Sequence, residues 1–307
     1  MIDVLQFVKL RPEVQSELEA RYRVHSKIEI DNINLDKIRA VVTKANYGPT
    51  AEIIDRLPNL EIIGSASVGY DGIAVTHAQS KGIPVTFTPD VLNDDVADLT
   101  IALMTMASRR LVAMDRYVRD GDWQARGEPP LTHRVSGKRV GILGMGRIGK
   151  QIAKRLEAMG CPISYHARNR VVDVPYAYFP TLVEMAELND FLVVVLPSNA
   201  NTRQIVNKDV LESLGPSGIL INVARGAVVD EDALVEALVS GKLGGAGLDV
   251  FANEPNVPDA LKAMDNVILQ PHLGSATYEV RRNMSQLVLD NLDAHFAGKP
   301  LLTPIPS

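Results

Sequence analysis

The chain has 307 residues, 46% of them hydrophobic and 22% charged, a balance that excludes a disordered protein and leaves enough chain for two domains of ordinary size. A net charge of −5 argues against nucleic acid or an anionic membrane as a partner. The single cysteine, Cys161, excludes an internal disulfide and a thiolate metal cluster, so no metal is expected, and a reducing, cytoplasmic compartment is. Met1-Ile2-Asp3 opens no basic-then-apolar leader. The most apolar short run, 191–196, is far below the roughly 20 residues that a membrane helix needs.

In chain order, residues 3–8, 40–43, 60–65 and 84–87 read as short buried strands. Residues 12–22 and 50–57 carry helical spacing of apolar positions, with Pro49 and Thr50 marking a helix start. Strands that alternate with helices pair in parallel, because each crossover returns the chain to the same end of the sheet. A longer helical pattern runs over 93–118 through Val96, Leu99, Leu103 and Met106, and ends at Gly121. A polar stretch with Pro129 and Pro130 follows, so the pattern predicts a bridging helix and a loop between two domains.

A second series opens with a strand at 138–143 and continues at 163–166, 191–196, 219–223, 245–249 and 267–270, with helical stretches that include 147–159, 182–188 and 230–240. Six strands behind a glycine-rich first turn are the content of a complete dinucleotide-binding sheet. Residues 276–296 are helical again and end at Gly298 and Pro300. They have no sheet of their own to complete and are expected to cross back to the N-terminal domain. The expected fold class is α/β with two doubly wound parallel-sheet domains. One is a Rossmann dinucleotide-binding domain over 99–275, the other a smaller flavodoxin-like substrate domain made of 1–98 and 276–307.

Gly144-Met145-Gly146-Arg147-Ile148-Gly149 lies between the strand ending at Leu143 and a helix. The first glycine permits a tight turn, the second admits a pyrophosphate against the backbone, and the third lets the helix pack on the strand. The helix start offers free N–H groups and a positive dipole end to the phosphates. About 20 residues on, an enzyme that uses NAD places an acid for the ribose 2′-hydroxyl. Here the chain reads Ala167-Arg168-Asn169-Arg170, with no carboxylate before Asp173. Guanidinium groups pair with a 2′-phosphate that an acid would repel. The cofactor expected is therefore NADP(H), with Arg168 its main contact, Asn169 and Arg170 secondary, and Ala167 on the same loop.

Three motifs in the second half follow buried strands: Asn222-Val223-Ala224-Arg225-Gly226, Asp249 through Pro255, and Pro271-His272-Leu273-Gly274-Ser275. All fall where parallel strands run out into loops, the edge at which ligands bind, and Val223 is placed with the cofactor-binding residues. The residue types suit reduction of a 2-keto acid. Arg225 can hold the substrate carboxylate bidentately and polarise the neighbouring carbonyl. His272 can donate the proton that the nascent alkoxide needs, and Glu254 beside it favours the imidazolium form.

These motifs, in this order and spacing, resemble the D-isomer-specific 2-hydroxyacid dehydrogenases over nearly the whole chain. Ser67-Val68-Gly69-Tyr70-Asp71 resembles the family's substrate-carboxylate loop, and Val96-Ala97-Asp98 its Val-Ala-Glu helix start. Within the family the chain is most similar to hydroxypyruvate/glyoxylate reductases and plant hydroxyphenylpyruvate reductases, through residues 88–92, 161–165 and 298–304. The resemblance implies a catalytic set of Arg225, Glu254 and His272, with backbone N–H groups of Val68 and Gly69 on the substrate carboxylate. It also implies that Asp249 binds the nicotinamide carboxamide and that Thr100 lies near the cofactor. Trp123 is the lone tryptophan, and the family suggests a lid over a neighbouring subunit's site for it. Tyr70 stands where relatives often carry a smaller residue.

The expected function is NADPH-dependent reduction of small 2-keto acids, hydroxypyruvate and glyoxylate, to D-2-hydroxy acids. An aryl-pyruvate reductase is the alternative, and a dinucleotide-sensing, corepressor-like binding protein is the alternative without catalysis. The long apolar face over 96–114, with Trp123 after it, predicts a two-fold homodimer packed through that helix.

Overall fold

A computed structural model describes residues 1–306, and the chain divides into two compact units, Met1–Leu92 with the segment from Ala276 onward, and Asn93–Ser275. The first division falls at the start of the helix Asn93–Arg109. The boundary expected after Asp98 would cut that helix.

In the first unit, β1 (Ile2–Gln6), β2 (Tyr22–Ser26), β3 (Ile38–Thr43), β4 (Ile62–Ser65) and β5 (Val85–Thr86) form a parallel sheet in the order β2-β1-β3-β4-β5, the flavodoxin-like order. Side chains alternate across it. Val4, Ala40 and Ile62 pack with Val14 and Leu18 of the helix Pro12–Arg21 and with Val288, Leu289 and Leu292 of the helix Tyr278–Phe296. Leu5, Val41 and Ile63 face the other way, onto Ile54 and Leu57. Burial on both faces is what a parallel sheet with crossover helices requires. The C-terminal helix thus completes the N-terminal unit, and the tail beyond it covers β5, with Ile305 N–H donating to the Val85 carbonyl at 2.8 Å.

The strand β2 has no counterpart among the predicted elements, which end a helix at Tyr22. The helix stops at Arg21, and Tyr22 turns extended. Tertiary contacts decide this: the Tyr22 hydroxyl donates to Asp293 at 2.6 Å, and its ring lies 5.9 Å from that of Phe296.

In the second unit, β6 (Val140–Leu143), β7 (Ile163–His166), β8 (Ala177–Tyr178), β9 (Phe191–Val194), β10 (Ile219–Asn222), β11 (Gly245–Leu248) and β12 (Val267–Leu269) form a parallel sheet in the order β12-β11-β10-β9-β6-β7-β8. The six predicted strands are there, and β8 is a two-residue seventh at the edge. Counted from β6, this is the doubly wound dinucleotide-binding order with one strand added, and it reverses beside β6.

The helix expected over 93–118 is two. Asn93–Arg109 ends at Arg110, which is left-handed at φ 49°, and Leu111–Arg119 follows. The first buries Val96, Leu103, Met104 and Ala107, whereas the second buries no residue, so the two share no apolar face that would keep them in line. The stretch read as a loop around Trp123 contains a short helix, Asp122–Arg126, with Trp123 exposed. Among the described residues, no helix is long and apolar enough to cross a membrane.

Candidate active site

The glycine loop leaves β6 and enters the helix Arg147–Ala158. Gly144 has φ +106°, and a Cβ there would stand 2.7 Å from the Val195 carbonyl oxygen. At Gly149 a Cβ would come within 2.2 Å of the Gly144 oxygen. Gly146 is different: a Cβ there would meet nothing. The outer two glycines close the turn, and the middle one faces open space. Above it lies a cavity of about 510 Å³ whose wall includes Gly144, Gly146, Ala167, Arg168 and Asn169. Backbone N–H groups at a helix start beneath a cavity of that size suit the pyrophosphate of a dinucleotide. Arg147 is exposed at the first helical position, with Ile148 half-buried and Gly149 buried behind it.

Arg168, Asn169 and Arg170, beyond β7, are exposed. The nearest carboxylate in sequence, Asp173, is paired with Lys150, whose hydrogen bond and charge hold it below the usual range. No acid stands between Ala167 and Asp173 on this loop.

The loops after β10, β11 and β12 interlock. Asp249 follows β11 and is 2% exposed. Its carboxylate accepts from Leu273 N–H at 2.6 Å and Gly274 N–H at 2.9 Å, and its carbonyl accepts from His272 N–H at 2.9 Å. Burial nonetheless raises its pKa, with the two backbone donors opposing. Three successive amides caught by one residue hold His272 in the left-handed region, φ 56°, which few residues other than glycine adopt. The ring then reaches Glu254, with Nδ1 to Oε2 at 2.9 Å, while Glu254 Oε1 accepts from Phe251 N–H at 3.2 Å. Nδ1 is thereby committed to the carboxylate, and Nε2 is the nitrogen left for chemistry.

Arg225 comes from the loop after β10. Its carbonyl accepts from the Asn222 side-chain amide at 3.1 Å, the Asn222 oxygen accepts from Ala224 N–H at 3.0 Å, and one guanidinium nitrogen donates to the Ala224 carbonyl at 2.7 Å. Gly226 sets the loop against its neighbour, because a Cβ there would lie 1.9 Å from the Phe251 carbonyl carbon. Val223 is buried beside them. Arg225, Glu254 and His272 therefore stand on three loops joined by backbone contacts.

Thr100 is not brought to the cavity. It is fully buried, and its hydroxyl donates to the Val96 carbonyl at 2.7 Å. Val68 and Gly69 belong to the first unit, after β4. The Ser67 hydroxyl accepts from Ala45 N–H and donates to the Gly69 carbonyl, both at 2.8 Å. The ring of Tyr70, beside this loop, meets that of Phe87 edge-on with centroids 6.2 Å apart.

Sequence reasoning missed several residues. Asn199, Asn201 and Thr202 also line the cavity above the glycine loop, in a segment with no periodicity to single it out. Asn222 and Gly226 shape the arginine loop, and Glu231 accepts from Ala252 N–H at 3.0 Å. Only the glycine carried a signal, inside the Val-Ala-Arg-Gly run.

A phosphate-binding turn, an opposed basic loop and a histidine–carboxylate pair at one sheet edge are the layout of an oxidoreductase that works with a dinucleotide. The comparisons agree. Residues 101–274 match the NAD binding domain of the D-isomer specific 2-hydroxyacid dehydrogenases, and the chain belongs to that family. It is 48% identical to hydroxyphenylpyruvate reductase of Plectranthus scutellarioides and 49% identical to glyoxylate/hydroxypyruvate reductase A of Arabidopsis thaliana, in each case over 99% of both chains. Among solved structures, it superposes on an NADPH-dependent glyoxylate/hydroxypyruvate reductase from Sinorhizobium meliloti, in complex with NADP and malonate, with TM-score 0.93, 42% identity and coverage of 99% and 96%.

Proposed function

We propose that the protein reduces small 2-keto acids, hydroxypyruvate and glyoxylate, to D-2-hydroxy acids with NADPH. The observation that carries the chemistry is the 2.9 Å contact of His272 Nδ1 with Glu254, which leaves Nε2 to deliver a proton. Bound NADPH supplies the hydride that reaches the carbonyl carbon. His272 Nε2 protonates the alkoxide oxygen, Glu254 orients the ring through Nδ1, and Arg225 grips the carboxylate and polarises the carbonyl. Val68 and Gly69 offer backbone N–H groups to a substrate carboxylate. Gly144, Gly146, Arg147, Ile148 and Gly149 form the pyrophosphate turn. The exposed, acid-free Arg168-Asn169-Arg170 loop supports NADP(H) over NAD(H).

Asp249 holds the His272 loop, so a bond to the nicotinamide carboxamide would come in addition to that task. The relatives include reducers of both aryl and small 2-keto acids, so the aryl-pyruvate reading stays as the second one, favoured by the aromatic pair Tyr70–Phe87 beside the carboxylate loop. The apolar face of Asn93–Arg109 is spent inside its own unit, so a homodimer would instead use the exposed Leu111, Val118, Trp123 and Leu131. A single buried Cys161 suits a reducing cytoplasm.

Oxidation of NADPH by the purified protein with hydroxypyruvate, glyoxylate and hydroxyphenylpyruvate tests the proposal, and sedimentation at micromolar concentration tests the dimer. Turnover with the first two is expected. Its absence with all three would favour a dinucleotide-sensing protein.

A further inference from the structure

In the first unit the strand order reverses between β1 and β3, and in sheets of this order that reversal opens the crevice in which ligands bind. Three cations stand at this edge of the sheet. Arg11 lies in the segment after β1, and Lys44 is the first residue after β3. Arg281 joins them from the first turn of the helix Tyr278–Phe296. It shares a face with Tyr278 and Ser285, its neighbours at i−3 and i+4. Arg11 lies 5.2 Å over the Tyr278 ring, and its backbone N–H donates to the Ser285 hydroxyl at 3.1 Å, which in turn donates to the Arg281 carbonyl at 2.8 Å.

Nothing anionic balances this cluster well. Lys44 and Arg281 form no ion pair with any described residue, and Lys44 rests on the Tyr47 ring at 4.8 Å instead. Arg11 has only Glu13 at 3.9 Å, and its Nε is a buried donor without an acceptor. Burial lowers the pKa of the Arg281 guanidinium, and burial together with the Arg281 charge lowers that of the Lys44 ammonium. Half-buried like charges close enough for one to depress the other cost stability unless an anion joins them. The adjacent loop completes the picture. Ala45, next to Lys44, is bonded through Ser67 to the Gly69 carbonyl, and neighbouring strands of a sheet run only about 4.8 Å apart.

We infer that Lys44, Arg281 and Arg11 form an anion subsite for a second negative group, carboxylate or phosphate, at the distal end of the 2-keto acid. The inference rests on the reading that Val68 and Gly69 hold the first carboxylate. Specificity then lies in the charge of the substrate's far end, and dianionic 2-keto acids are preferred to neutral-tailed ones of the same length.

The test compares oxaloacetate and 3-phosphonooxypyruvate with 2-oxobutyrate, which has oxaloacetate's chain length but no distal charge, in the full-length protein and in Lys44→Met. The expected result is kcat/KM for the dianionic acids at least about tenfold above 2-oxobutyrate, with the ratio falling toward one in Lys44→Met, since one charge-assisted contact is worth about a factor of ten. A ratio at or below one that Lys44→Met leaves unmoved overturns the subsite. If no keto acid is turned over, the functional reading has failed, and calorimetric titration with inorganic phosphate decides the subsite alone. Binding that weakens about tenfold in Lys44→Met supports it, and equal or absent binding in both proteins rejects it. Arg281→Gln, with its melting temperature measured alongside, should repeat the pattern.

Discussion

At one end of the second unit's sheet, the loops after β10, β11 and β12 grip one another. At the other end, the loop after β7 leaves its polar side chains in solvent. Asp249 catches the amides of His272, Leu273 and Gly274, Glu254 bridges Phe251 and His272, and Gly226 admits the Phe251 backbone. Arg168, Asn169 and Arg170 have no comparable framework and stand exposed. The difference fits the tasks proposed for the two ends. Groups that act on bonds being made must be held within a fraction of an ångström, by neighbours that are themselves fixed. Groups that select a phosphate at the rim need only present charge. Substitutions at the locked end should therefore be large and interdependent, and those at the open end modest and separable.

The largest effect is expected at the proposed proton donor. Replacing His272 by Gln should lower kcat by roughly 10² or more and leave NADPH affinity nearly unchanged, because the imidazole acts on the substrate. Near-normal turnover would reduce the histidine to a loop residue. Its partner sharpens the point. The Glu254 carboxylate lies 2.9 Å from His272 Nδ1 and orients the ring, so Glu254→Gln should lower kcat by about tenfold and leave NADPH affinity nearly unchanged. An unaltered kcat would mean that Glu254 only shapes the loop.

Next in size is the lock itself. A methyl group at Gly226 would lie 1.9 Å from the Phe251 carbonyl carbon, so Gly226→Ala must push apart the loops that carry Arg225 and Glu254. Overpacking of this kind costs about 1–3 kcal/mol, at times more. Activity should fall together with the melting temperature, which at about 2–4 °C per kcal/mol is readily measured in a domain of this size. Unaltered melting and kinetics would show that the loops are not rigidly coupled.

The same contrast explains what was legible beforehand. The strands of both sheets were readable wherever apolar runs cross a buried interior, as in 191–196 and 219–223, and the three loop motifs stood out because glycine, proline and charge sit at fixed offsets. The two strands that escaped notice lie at sheet edges, where the period is short and polar: Tyr22–Ser26 and Ala177–Tyr178. The break at Arg110 carries no proline or glycine, because it comes from a change of packing partner and not from a local preference. The roles of Asn222, and of Asp249 toward the His272 loop, depend on backbone amides that folding brings to them, and no spacing encodes that.

The smallest effect is expected at the open end, and it is the cleanest to measure. Arg168 lines the dinucleotide cavity beyond β7, and the carboxylate that could have neutralised the loop, Asp173, is taken by Lys150. A 2′-phosphate would meet guanidinium groups that no protein acid competes for, whereas the 2′-hydroxyl of NADH would gain little from them. The ratio of kcat/KM for NADPH to that for NADH should be at least about tenfold, on the order of 1.4 kcal/mol. Arg168→Asp should shrink or reverse it through repulsion of the phosphate, with the melting temperature unmoved because an exposed side chain is being exchanged. Salt should narrow the preference in the unmodified protein, since exposed charges are screened within a Debye length of about 10 Å at 0.1 M. Equal efficiency with both dinucleotides would overturn the cofactor assignment while leaving the locked catalytic loops, and the chemistry assigned to them, untouched.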